Sequence, residues 1–140
     1  MEGTVEKLDL EADTPEIYKA ILLAIIERLR RGLWIVGVFV EPQKDAQGMW
    51  LGVPTSDEQL DKANMCLMGH VGYVRRGKPH SEDYNSKFSN FLARKLFPKA
   101  SEDYFNYYGA GGHLAQWNNE QKSPEPIIEK LQEVADGITV

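Results

Sequence analysis

The sequence predicts a mainly α fold, a single small helical domain with one short β-hairpin, which is α+β by a strict count. Three observations predict it. Apolar residues recur at helical spacing in segments that open on a capping residue and close on glycine or proline. The stretch Leu33 to Val40 is instead rich in β-branched and aromatic residues, and is followed by turn residues and a second apolar run. The chain has 140 residues, 42% of them apolar and 26% charged, which is the size and composition of one domain, and no linker divides it.

The first helix opens with Thr14 as N-cap, Pro15 at the first helical position and Glu16 against the dipole. Ile17, Ile21, Ala24 and Ile25 share one side, and Gly32 ends the helix. Tyr18, Leu22, Ile26 and Leu29 widen the apolar stripe over most of the circumference, so this helix is expected at the centre, covered on two or more sides. Leu33 to Val40 and Met49 to Val53 are the two strands of a hairpin expected beside the first helix, with Pro42 ending the first strand and Gln43 to Gly48 as the turn. Ser56-Asp57-Glu58-Gln59 is a capping box. It opens a helix with Leu60, Ala63, Leu67, Val71 and Val74 inward, closed by Gly77 and Pro79.

Two later segments begin alike, Ser81-Glu82-Asp83-Tyr84 and Ser101-Glu102-Asp103-Tyr104. A cap followed by acids is ordinary helix-start chemistry, so these read as convergence and not as a repeat. The first runs through Phe88, Phe91, Leu92 and Leu96 at helical spacing to Pro98, while the second is short and aromatic and stops at a loop, Gly109-Ala110-Gly111-Gly112. The last helix starts at Ser123-Pro124 and carries Ile127, Ile128, Leu131, Val134 and Ala135 to a Gly137 stop.

Charge divides the chain unevenly. Residues 1 to 16 hold six acids against Lys7, a net −5 that equals the charge of the whole chain. This marks residues 1–13 as an acidic arm ahead of a helical domain at 14–140. Arg75 to Lys99 holds seven basic residues against Glu82 and Asp83, net +5. Such a segment could follow a phosphate backbone, but a pI of about 5.2 and the lack of a reading motif argue against nucleic acid as the partner. The simpler account is that the acidic arm folds back over the basic face, or that both are simply solvated. The single cysteine, Cys66, excludes an internal disulfide and a zinc site built on several thiolates, and points to the cytoplasm. The acidic start lacks signal-peptide regions, and the longest apolar run is too short to span a bilayer, so no membrane is expected.

Cys66, His113 and Asn118 follow the chain order of papain-like thiol hydrolases, where a thiolate attacks a carbonyl and histidine shuttles the proton. Those enzymes set the nucleophile at a helix N-terminus, whereas Cys66 lies ten residues beyond its helix's expected cap, among Met65, Leu67 and Met68. A buried, inert thiol is therefore preferred. Cys66 and His70 are spaced as a helical metal pair, yet His80 and His113 stand alone, so no metal and no cofactor is expected. Gly69 between them suggests a narrow strip against which another element packs. Gly109 to Gly112 has neither the preceding strand nor the Lys-Ser or Lys-Thr of a phosphate loop. Tyr104, Phe105, Tyr107 and Tyr108 suit a core or a protein interface, and Trp117-Asn118-Asn119 a corner just before the last helix.

The motifs Arg31-Gly32-Leu33-Trp34, Gly48, Cys66-Leu67-Met68-Gly69-His70, Trp117-Asn118-Asn119 and the amphipathic run Ile127 to Ala135 carry a resemblance. Their order is similar to an uncharacterised family of small actinobacterial and phage proteins whose pattern is Arg-Gly-Trp, a glycine-bearing turn, Cys-Leu-x-Gly-Ala, Trp-Asn-Asp and a closing helix. Leu33 is inserted before the tryptophan, His70 replaces the usual alanine and Asn119 the aspartate. The resemblance implies an origin and an architecture, with no activity to transfer.

The expected function is that of a small phage- or mobile-element-type accessory or inhibitor protein, non-enzymatic, binding a host or phage protein through the stretch Arg75 to Tyr108. Its candidate binding residues are Trp34, His70, Arg75, Arg76, Tyr107, Tyr108, Trp117 and Asn118. A Cys66-dependent hydrolase or transferase is the alternative, and a nucleic-acid or nucleotide binder comes third. The apolar hairpin needs either a covered edge or a second copy, making a homodimer a further expectation.

Overall fold

A computed structural model of the chain describes residues 9–79, 81–100 and 109–139. In order, its elements are α1 (Pro15–Arg30), β1 (Gln43–Lys44), β2 (Trp50–Gly52), α2 (Asp57–Asp61), α3 (Leu67–Arg76), a 3₁₀ turn (Ser81–Asn85), α4 (Lys87–Leu96), α5 (Ala110–Asn119) and α6 (Glu125–Asp136). The protein is mainly α with a two-stranded antiparallel hairpin. Among the described residues no helix is long and apolar enough to cross a membrane.

The start of α1 follows from its sequence: the Thr14 side chain accepts a hydrogen bond from the Ile17 amide, and Pro15 sits where no intrahelical N–H is required. Because its apolar residues run around most of the circumference, α1 is held between α3 and α6 and buries Ile17, Tyr18, Ile21, Leu22, Ile25, Ile26 and Leu29. The other helices close the same core from α4 and α5, whose Phe88, Leu92 and Leu114 are fully buried. A second, smaller core of Val40, Leu60 and Met65 lies beneath α2 and the segment that leads to the hairpin.

Six expectations are corrected. The helix opened by the Ser56 box does not continue to Val74: it ends at Asp61 and a new one begins at Leu67, with Cys66 as its N-cap. Between them the backbone of Asn64 to Cys66 is drawn out to pair with Leu33 to Glu41 through Ile35 N–Met65 O (3.2 Å), Glu41 N–Asn64 O (2.8 Å) and Cys66 N–Phe39 O (3.3 Å). Those cross-chain bonds outweigh the helical periodicity. For the same reason Leu33 to Val40 is not a hairpin strand. Trp34 and Val40 bridge to Met65, and the strand that pairs with β2 is Gln43–Lys44. Nor does the hairpin lie beside α1, since Trp50, Leu51 and Gly52 are all exposed.

The helix expected from Ser81 starts six residues later. Ser81–Asn85 is a 3₁₀ turn, and Ser86 caps α4 by accepting from the Ser89 amide at 3.2 Å. The Gly109-to-Gly112 segment is no loop: Gly109 is the N-cap of α5, and Gly111 lies inside the helix where any Cβ would collide with the Tyr84 backbone. Trp117-Asn118-Asn119 is accordingly the last turn of α5 and not a corner. Ser101 to Tyr104, and with them Phe105, Tyr107, Tyr108 and His80, lie outside the described residues.

Phe88 tests the centre of this arrangement. It is fully buried, meets the edge of Tyr18 at 5.2 Å between ring centroids, and has the Arg75 guanidinium 5.6 Å from its ring centroid. Phe88→Ala is expected to destabilise the fold by about 3–5 kcal/mol in denaturant unfolding, the range for emptying a large aromatic site.

Candidate functional site

Three of the residues singled out in the sequence, Trp34, His70 and Asn118, are brought together in one polar network around the segment after α1. Asn118 is fully buried near the end of α5. Its Oδ1 accepts from Trp34 Nε1 at 2.7 Å and from the Leu67 amide at 3.1 Å, while its Nδ2 donates to the Ile35 carbonyl at 3.1 Å. The Leu67 amide belongs to the first turn of α3, so the same side chain satisfies one of that helix's orphan donors. Asn119 extends the clamp by accepting from Gly37 N at 2.8 Å.

His70, also fully buried, closes the network from α3. Nε2 meets the Leu33 carbonyl at 2.5 Å and Nδ1 faces Arg28 Nε at 3.1 Å. A carbonyl needs a donor and a guanidinium an acceptor, so the ring is neutral with its proton on Nε2. Burial first, then the nearby Arg28 charge, push the imidazole down to about 3. Arg28 was not evident as a candidate, although it follows Ile17, Ile21 and Ile25 on the buried face of α1. Its Nη2 donates to the Leu60 carbonyl at 3.1 Å and its Nη1 to the Asp61 carbonyl at 3.2 Å, with Tyr73 stacked 4.3 Å away. Burial lowers the Arg28 pKa.

Arg75 and Arg76 are likewise committed inside the fold. Arg75 is buried, donates to the Leu10 and Glu11 carbonyls at 3.0 and 2.9 Å, and is ion-paired with fully buried Asp83 at 3.4 Å. Arg76 pairs with Asp83 at 3.0 Å and with Glu11 at 2.7 Å. Residues 9–13 thus lie on the basic end of α3, and Leu10 and Ala12 reach the core. The expected contact surface from Arg75 to Tyr108 loses both arginines to this ion-pair cluster.

Cys66 does stand at a helix N-terminus, correcting the objection drawn from the sequence, but the rest of a thiol-hydrolase site is not assembled around it. Its Sγ accepts from the Gly69 amide at 3.4 Å, and burial pushes the thiol up. It lines a hollow of about 150 Å³ with Phe39, Tyr84 and Asn119. His113 lines a different hollow with Trp117, its ring 6.2 Å from Phe97. Asn118 sits five residues past His113, which on a helix turns it about 140° away. Trp117 is half-buried with its ring edge-on to Phe97 at 6.1 Å. Gly69 plays the packing role expected of it: a Cβ there would strike the Phe39 carbonyl. Among the described residues no group of three His, Cys, Asp or Glu is placed to hold a metal ion.

The sequence read Met49 to Val53 as a strand with an edge to cover, but did not place these residues among the candidate site residues. Met49, Trp50, Leu51 and Val53 are 66%, 62%, 64% and 57% exposed, and Val36 and Val38 are exposed as well. Among the described residues, six of the seven exposed large apolar side chains fall between positions 36 and 53, four of them in the run from Met49 to Val53. The hairpin is held by its turn. Asp45 Oδ1 accepts from the Gln47 and Met49 amides, both at 2.9 Å, and Lys44 Nζ lies 4.2 Å over the Trp50 ring. Comparison with family models, with curated proteins and with solved structures finds no match for this chain.

The His70 site has a pH signature. Unfolded, the imidazole takes a proton near its ordinary 6.5, but in the fold it resists protonation down to about 3. Between those values the unfolded chain holds the extra proton, so stability falls as pH falls. The unfolding free energy of the wild type relative to His70→Gln, which keeps a donor and an acceptor, is expected to decline from pH 6.5 towards pH 3 in parallel denaturant titrations. A pH-independent difference would mean that His70 is already charged in the fold.

Proposed function

We propose that this chain acts by binding another protein, with no chemistry of its own, and that the contact runs through the exposed hairpin. The observation that carries this reading is the clustering of Met49, Trp50, Leu51 and Val53 in solvent on a single device. Aromatic residues and methionine are enriched at interfaces, and tryptophan is prominent among the residues that dominate binding energy. The polar residues that might have done chemistry are saturated by one another. The motif resemblance supports the further reading of a phage- or mobile-element-type accessory or inhibitor protein whose partner is a host or phage protein. A single buried cysteine suits a cytoplasmic setting.

Capture from host lysate with the full chain, compared with the Trp50→Ser/Leu51→Ser double variant, tests the reading. A partner retained by the wild type and lost by the variant is expected. Equal capture by both would move the contact elsewhere.

The thiol alternative makes an opposite demand on Cys66. Because the thiol is buried and pushed up, the native protein is expected to react with a disulfide reagent at neutral pH at least about tenfold more slowly than the unfolded chain. Cys66→Ala should leave partner capture intact. Fast native labelling, with function lost on substitution at unchanged melting temperature, would establish the nucleophile instead.

A further inference from the structure

We infer that the hollow between the start of α1, α4 and the end of α6 is a binding site for a small organic ammonium ion with an apolar body, held against the Phe91 ring between the carboxylates of Asp13 and Glu133. The hollow measures about 470 Å³ and shares no residue with the hairpin, so the inference stands apart from the protein contact proposed above.

A hollow of this size falls in the range of small-molecule sites, which are mostly apolar with a few polar groups at fixed places. Tyr18 and half-buried Phe91 pack with their ring centroids 5.0 Å apart, and Val134 and Ile138 supply aliphatic wall. The larger hollow of about 860 Å³ beside residues 9–11 is different in kind. Its arginines are already committed, Arg31 to Asp61 at 3.6 Å and Arg76 to Glu11 at 2.7 Å.

The charge around the hollow selects a cation. Its lining holds two carboxylates, Asp13 and Glu133, and one ammonium, Lys95. Asp13 accepts from the Tyr18 hydroxyl at 2.7 Å and lies 3.5 Å from Arg75, but Arg75 and Arg76 are matched by Asp83 and Glu11, which leaves the Asp13 charge in surplus. Glu133 meets Lys130 at 3.4 Å in an exposed pair of the kind that contributes little. The last turn of α6 carries no basic residue, so the negative pole of that helix adds to the carboxylates, whereas the positive start of α1 is already met by Glu16. Lys95 shows where a cation is drawn: its Nζ lies over the Phe91 ring, 5.8 Å from the centroid, and it has no carboxylate partner among the described residues. An aromatic face attracts a ligand ammonium by the same quadrupole, and the exposed lysine swings out at small cost.

Titration of the isotope-labelled full chain with benzyltrimethylammonium, followed by two-dimensional NMR, tests this against benzyl alcohol and phenylacetate, which carry the same ring but are neutral and anionic. The cation is expected to give saturable shifts at the amides lining the hollow and to bind at least about tenfold more tightly than either comparison compound. Glu133→Gln, at an exposed position, should weaken it about threefold. Phe91→Leu, its folding checked by circular dichroism, should weaken it about tenfold. Lys95→Gln should instead strengthen it about threefold, because the competing ammonium is gone, the opposite of what a general loss of structure would do. No saturable shift with the cation, equal binding of phenylacetate, weaker binding by Lys95→Gln, or shifts centred outside the hollow would each overturn the inference.

Discussion

The amide of Asn118 is the interaction on which most of this architecture depends. It joins three stretches remote in sequence: the turn out of α1 at Trp34 and Ile35, the first residue of α3 at Leu67, and the end of α5 that carries it. An ionised aspartate could supply the acceptor but no donor, whereas the amide accepts from Trp34 and Leu67 at Oδ1 and donates to Ile35 from Nδ2, a separate atom. Removing it would leave several buried groups unpaired, each costing about 1–3 kcal/mol. With the turn held there, Met65 and Cys66 reach the segment from Leu33 to Glu41, α2 ends where it does, and the hairpin leaves the body from a fixed base.

The remaining buried polar groups follow the same rule. His70 spans Arg28 and Leu33, and Asp83 receives Arg75 and Arg76. No buried side-chain nitrogen or oxygen among the described residues is left without a hydrogen-bond partner. A buried ion pair such as Arg75–Asp83 is weak evidence for stability, because desolvation offsets its attraction. Its clearer effect is positional. Arg75 also bonds the Leu10 and Glu11 carbonyls, so the acidic segment is held to the core by backbone hydrogen bonds and by Leu10 and Ala12, as well as by charge.

Local chemistry was legible and long-range pairing was not. The Thr14 cap, the Ser56 box, the apolar circumference of α1 and the stop at Gly137 all read correctly because each is decided within a few residues. The break at Lys62 to Cys66 did not, because the helical spacing of Leu60, Ala63, Leu67 and Val71 continues across it. It is decided by partners near residues 33–41 and 118, which periodicity cannot see. Trp34, His70 and Asn118 were noticed as chemically unusual and do converge, yet as a clamp. Arg28 was hidden by its place in an apolar stripe that looked purely structural. The hairpin tip was read as strand material, and its exposure became visible only once the first strand moved to Gln43–Lys44 and away from the core.

That displacement bears on why the tip is apolar. The turn is built by Asp45, whose carboxylate takes two amides, and the strands are further tied by Lys44 over Trp50. Of the tip's apolar side chains, Met49, Leu51 and Val53 add nothing to this local scaffold, and in solvent they contribute little to folding because folding removes little of their surface from water. Polar, β-branched residues would hold the same strands with less exposed apolar surface. Folding stability therefore does not account for apolar residues at these positions. The proposed contact would account for them, since the area left open on folding would then be buried on association, where its hydrophobic contribution is realised.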